Sequence, residues 1–119
     1  MDVAQDSPLN LSAAIQLCGG KEDIAREIIQ MLINELPQHA QNLAAALSQQ
    51  NWHEMDYISH KLAGSAAYCG MELLKKQART LNNLIREQQW NNVSTQTEIL
   101  QQIIAQTLAA AAKLDINPQ

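Results

Sequence analysis

A chain of 119 residues suffices for one hydrophobic core and not for two. Its formal charge of −4, with 12 acidic against 8 basic side chains and no basic cluster, excludes a nucleic-acid partner, because binding to phosphate backbones needs a basic face. The 2 cysteines fit neither a disulfide framework nor a zinc spacing, no stretch approaches the ~20 apolar residues of a membrane span, and the N-terminus has no basic-then-apolar leader pattern.

Phenylalanine is absent, and apolar content carried by Ala, Leu and Ile among many Gln favours helix throughout. Residues 1–8 are polar and read as a tail or linker. A short helix over 10–17 follows and stops at Gly19-Gly20. The spacing of Ile24, Ile28, Leu32, Leu36, Leu43 and Leu47 predicts one long helix over 22–49, with Glu22 and Asp23 favourable at its start. Pro37 lacks a backbone donor, so a kink is expected near residues 33–36. Asn51 caps a helix over 52–68, and Gly70 ends it. A fourth helix over 72–89 buries Leu74, Ala78, Leu81 and Ile85. Asn91, Asn92 and Ser94 then break the pattern before a last helix over 95–114, whose inner face is Leu100, Ile104, Leu108 and Ala111, and 115–119 form a second tail. Short connections make successive helices antiparallel. The predicted fold is all-α: one domain over 9–114, an up-down-up-down four-helix bundle with a short additional N-terminal helix laid across one end. Cys18 and Cys69 read as buried free thiols.

The most informative stretch runs from His60 to Gly70. At about 100° per residue, Met55, Ile58, Leu62, Ala66 and Cys69 gather on one side of its helix, while His60, Gly64 and Ala67 gather opposite. The histidine therefore faces outward. A helix-interior glycine costs about 1 kcal/mol relative to alanine, so Gly64, one turn beyond His60, implies that something large must approach the ring. A helical histidine without such surroundings is a solvated residue, and His39 and His53 are read so. No two histidines stand four residues apart, so no helical metal pair exists.

The eleven residues HKLAGSAAYCG resemble the signature of histidine phosphotransfer (HPt) domains, His-x-Leu-x-Gly-Ser-Ala/Ser-x-x-x-Gly. The resemblance extends to Leu17-Cys18-Gly19-Gly20 upstream and Met71-Glu72-Leu73-Leu74 downstream, covers roughly residues 9–113, and is greatest to the C-terminal HPt modules of tripartite hybrid sensor kinases. It implies a phosphocarrier of a His-Asp phosphorelay, in which His60 accepts a phosphoryl group from a receiver-domain aspartate and passes it to that of a response regulator. It also assigns roles. Lys61 would offset phosphate charge, Gly64 would give clearance, and Ser65 would hold the family's small polar position. Asn82 would lie where some relatives carry a glutamine that hydrogen-bonds the imidazole, and Arg86, one turn further, would contact phosphate. Asp56, Tyr57, Ala63, Gly64 and Ala67 would meet the partner. Many family members carry lysine three residues after the histidine, where this chain has Ala63; the charge would then fall to Lys61, with Lys75, Lys76, Arg79 or Arg86 as substitutes.

The resemblance further implies no cofactor in the domain, Mg²⁺ on the partner receiver, no kinase activity, a monomer with transient receiver partners, and a cytoplasmic location, whether free-standing or attached to a kinase anchored in the inner membrane. Two alternatives stay open: the phosphoacceptor domain of a chemotaxis-type kinase, and a helical docking module that is never phosphorylated.

Overall fold

In the computed structural model, which describes residues 7–114, the chain runs through α1 (Leu11–Leu17), α2 (Glu22–Ser48), α3 (Trp52–Tyr68), α4 (Glu72–Arg86), a 3₁₀ turn (Trp90–Asn92) and α5 (Val93–Leu114). Two starts are capped by asparagine: Asn10 Oδ1 accepts from Ala13 N at 3.0 Å, and Asn51 Oδ1 accepts from Glu54 N at 3.2 Å. The expected tails lie outside the described residues except for Ser7 and Pro8, which are half-buried; Ser7 Oγ donates to Leu9 O at 2.9 Å.

Each long helix packs on its two neighbours in sequence, and α2 closes the ring on α5. The result is the expected up-down-up-down bundle, with α1 set against α2 at one end. At the other end the rings of Trp52 and Trp90 stack with centroids 4.8 Å apart, tying the start of α3 to the turn before α5. Leu36, Leu43, Leu62, Leu74, Leu81 and Leu100 are wholly buried, and Ala63, Ala66 and Ala78 let α3 and α4 approach closely.

Several boundaries and faces differ from the sequence reading. Helices α2 and α4 end one and three residues early, at Ser48 and Arg86. Each is terminated by a glutamine in the left-handed region, Gln50 (φ 53°) and Gln88 (φ 58°), a conformation that glycine usually supplies. Helix α5 begins at Val93, because the 3₁₀ turn leads directly into it and Ser94 does not interrupt it. The buried stripe of α2 is Ala25, Ile29, Leu32, Leu36, Leu43 and Ala46, so Ile24 is left exposed and Ile28 and Leu47 half-buried. Helix α2 continues unbroken through Pro37, which sits on its exposed side. On α5, Thr97 and Thr107 are buried because their hydroxyls donate back to Val93 O and Ile103 O, both at 2.7 Å.

Gly70 seats the end of α3 against α1. It has φ +69°, and Met71 N reaches back to Ala66 O at 3.0 Å to close α3. A Cβ added there would lie 3.1 Å from Ala14 N and 3.2 Å from Ala13 Cβ, against the backbone of α1. Substitution Gly70→Ala should therefore destabilise by about 2 kcal/mol or more, from the left-handed backbone and from overpacking together. Urea unfolding followed by circular dichroism would measure it.

Candidate functional site around His60

His60 stands midway along α3, on the wall opposite the core-facing residues Met55, Ile58, Leu62 and Ala66. Steps of three, four and seven residues from it reach Tyr57, Gly64, His53 and Ala67, all exposed except Ala67, which is half-buried. A Cβ built at Gly64 would meet nothing within 4 Å, so packing does not require glycine there. The ring therefore rises from a ridge with little bulk on it.

On the α4 side an open hollow of about 270 Å³ borders the ring, lined by His60, Ala63 and Gly64 from α3 and by Arg79, Asn82 and Asn83 from α4. On the opposite side, Tyr68 (75% exposed), Leu17 (61%), Met31 (62%) and Ile24 (41%) form an apolar ledge along α1, α2 and the end of α3. The ledge holds two shallow grooves, one between Leu17, Cys18, Ile24, Ile28, Ala67 and Tyr68, the other reaching Ser65.

Beneath the ridge a polar clasp joins α3 to α4. The Asn82 amide nitrogen donates to Asp56 O at 3.0 Å, Asp56 Oδ1 at 2.6 Å and Ser59 Oγ at 3.0 Å, and Ser59 Oγ donates to Asp56 O at 3.2 Å. Arg86 Nε completes the set at 3.1 Å from Asp56 Oδ1. Partial burial works against the Asp56 charge, but hydrogen bonds from Arg86 and Asn82 and the charges of Arg86 and His60 outweigh it, holding the carboxyl below its ordinary 3.8.

This arrangement corrects two expectations. Asn82 directs its amide to Asp56 and Ser59 rather than to the imidazole. Arg86 is engaged by Asp56, one turn before His60, rather than held for phosphate. Asp56 also serves as an anchor within the bundle, its side chain half-buried. Ala63, only 7% exposed, forms part of the floor of the hollow. Tyr57, Gly64 and Lys61 are exposed as expected, and Ser65 lies on the α2 side, away from the hollow. His39 departs from its reading as a surface residue: its side chain is 12% exposed, with Nε2 3.5 Å from Glu35 Oε2. Cys69 is buried and Cys18 half-buried, and burial first, then the proximity of Cys18 and Glu35, pushes the Cys69 thiol up to about 12. Asn83 escaped the sequence reading; its position four residues after Arg79, on the same face of α4, is the signal that could have found it. Among the described residues no group of three His, Cys, Asp or Glu side chains is placed to hold a metal ion.

A helical bundle with an exposed histidine beside an unfilled glycine has the form of a phosphotransfer module. Residues 27–110 match the Hpt domain family, and the chain belongs to it. Over 84 residues it is 29% identical to the signal transduction histidine-protein kinase BarA of Shigella flexneri and, equally, of Escherichia coli (strain K12). Over 79 residues it is 25% identical to the sensor protein GacS of Pseudomonas syringae pv. syringae. These alignments take in 71%, 71% and 66% of this chain and 9% of each of those longer proteins. The crystal structure of the HPT domain from an Hpt sensor hybrid histidine kinase of Shewanella matches with a TM-score of 0.85 over 95% of both chains at 21% identity, which shows the fold. The role of the chain is accordingly that of a phosphocarrier in a multistep phosphorelay, a setting in which HPt domains work with receiver domains.

The lowered Asp56 carboxyl gives the clasp a pH signature. Because this group ionises more readily in the folded chain than in the unfolded one, its contribution to stability is present above the unfolded value of 3.8 and is lost as pH falls through the folded value below it. Urea midpoints of wild type and Asp56→Asn should differ at neutral pH, with wild type the more stable, and the gap should close in the acid range below 3.8.

Proposed function

We propose that His60 is the phosphoacceptor, taking a phosphoryl group from the aspartate of one receiver domain and yielding it to the aspartate of another. The observation that carries this reading is the exposed ring on a ridge where Gly64 leaves open space that no packing need explains. A neutral imidazole near neutral pH has one unprotonated nitrogen. The Nε2 lone pair attacks phosphorus, the bond from phosphorus to the aspartate oxygen breaks, and its electron pair returns to the carboxylate; Nδ1 keeps its proton. Such a transfer requires positioning and charge stabilisation more than elaborate covalent machinery. The metal, Mg²⁺, is supplied by the receiver.

The receiver docks on the ridge. Gly64 and Ala67 admit its backbone, Tyr57 and Tyr68 frame the approach, and the apolar ledge beyond Tyr68 gives it apolar surface to cover. Lys61, exposed beside the ring, moderates the charge of the incoming group. The interface is modest because a relay must release each partner. The module acts as a monomer on the cytoplasmic side, where receivers reside; among the described residues no helix is long and apolar enough to cross a membrane.

Incubation with phosphorylated receivers and Mg²⁺ should place an acid-labile, base-stable phosphate on wild type and none on His60→Gln. Equal labelling of both, or of neither across a panel of receivers, would overturn the reading in favour of a docking module. A second expectation concerns clearance. Substitution Gly64→Leu should raise stability by about 0.5–1 kcal/mol, since its side chain begins in open space, while slowing transfer from a receiver about tenfold or more. Thermal melts together with stopped-time transfer assays separate the two effects, and a loss of stability would show Gly64 to be a packing residue.

A further inference from the structure

The basic side chains of α4 are not equivalent. Lys75 Nζ is held by Glu72 at 3.0 Å and Arg86 Nε by Asp56 at 3.1 Å. Lys76 is exposed and does not line the hollow beside His60. Arg79 does line it, and among the described residues its guanidinium takes part in no hydrogen bond or ion pair. The floor of the same hollow is Ala63, whose single methyl leaves the volume of about 270 Å³ open between the two helices.

We propose that Arg79, with Asn83 beside it, binds the phosphoryl group carried on His60, so that the stabilising cation reaches the site from α4 and not from the helix that bears the histidine. This rests on His60 being the phosphoacceptor. A phosphoryl group on Nε2 adds three acceptor oxygens and negative charge at the rim of a hollow that Arg79 lines, its guanidinium unpaired among the described residues. An arginine fork donates to two such oxygens at once, and charge-assisted bonds of this kind are roughly twice as strong as neutral ones. Asn83, four residues on, lines the hollow from the same face of α4. Asn82 is not available for this task, because its amide nitrogen is already shared among Asp56 and Ser59 acceptors. The truncated Ala63 and the arginine across the groove thus form a complementary pair: the space that one leaves admits the group that the other binds.

Phosphoramidate tests this without any receiver. Nε2 of His60 forms the new bond to phosphorus, the nitrogen–phosphorus bond of the donor breaks, and ammonia leaves with the bonding pair. Labelling of wild type, Arg79→Lys, Arg79→Gln and His60→Gln would be followed by ³¹P NMR, with circular-dichroism melts of each. Arg79→Gln should label about tenfold more slowly than wild type with an unchanged melt, and Arg79→Lys should fall between them. In the phosphorylated protein the ³¹P resonance should titrate at higher pH in Arg79→Gln than in wild type, because a neighbouring cation favours the more highly charged phosphoryl form. Equal rates and equal titrations in wild type and Arg79→Gln would overturn the assignment of Arg79 and leave His60 as the acceptor. Equal slowing in both Arg79 variants with no movement of the titration would make the effect structural and also overturn it. Absence of label on wild type, or equal label on His60→Gln, would instead remove the phosphoacceptor reading and this proposal with it.

Discussion

One buried amide sets the geometry on which the site depends. Asn82 is 6% exposed, and its nitrogen lies within hydrogen-bonding distance of the Asp56 carbonyl, the Asp56 carboxylate and the Ser59 hydroxyl. The hydrophobic effect is non-directional, whereas hydrogen bonds weaken steeply as their geometry is lost. The clasp therefore fixes the register of α3 on α4 one turn before His60, and with it the distance from the ring to Arg79 and Asn83 across the hollow. Arg86, outermost in the set, keeps the Asp56 carboxyl ionised and so keeps the acceptor strong.

The remainder of the bundle can be understood as support for the two faces of α3. Its inner face must hold the helix in place, and Met55, Ile58, Leu62 and Ala66 do so at 0–2% exposure. Its outer face must be bare near the ring, which removes the long side chains that usually shield and stabilise a surface helix. Gly64 is the extreme case, a residue that weakens the helix by about 1 kcal/mol and fills no contact. Flanking elements compensate: the stacked Trp52 and Trp90 secure the start of α3, and the seat of Gly70 on α1 secures its end.

Much of this was legible in the sequence because it depends on spacing within one helix. The buried stripe of α3, its cap at Asn51, its stop at Gly70 and the outward aspect of His60 all follow from periodicity and from residue type. The ends of α2 and α4 were not legible, since Gln50 and Gln88 take a left-handed backbone that no glutamine announces. The inner face of α2 was misread because alternative apolar registers one residue apart coexist, and only packing against α3 and α5 selects Ala25 and Ile29 over Ile24 and Ile28. The clasp was illegible for a different reason. Asp56 and Asn82 are 26 residues apart, and their meeting depends on how two helices lie together. For the same reason Arg79 could not be distinguished from Lys75, Lys76 and Arg86 by sequence, whereas the pairs that occupy Lys75 and Arg86 separate them at once.

The convexity of the His60 wall has a consequence for traffic through a relay. A single exposed ring on a ridge can be covered by only one globular visitor at a time. If His60 is the phosphoacceptor, as proposed, donor and recipient would take turns, and the loaded imidazole would have to survive in water for the interval between one departure and the next arrival. On that reading its lifetime in the unaccompanied state, more than the rate of either handover, would set how far apart in time two signalling events can be and still be joined.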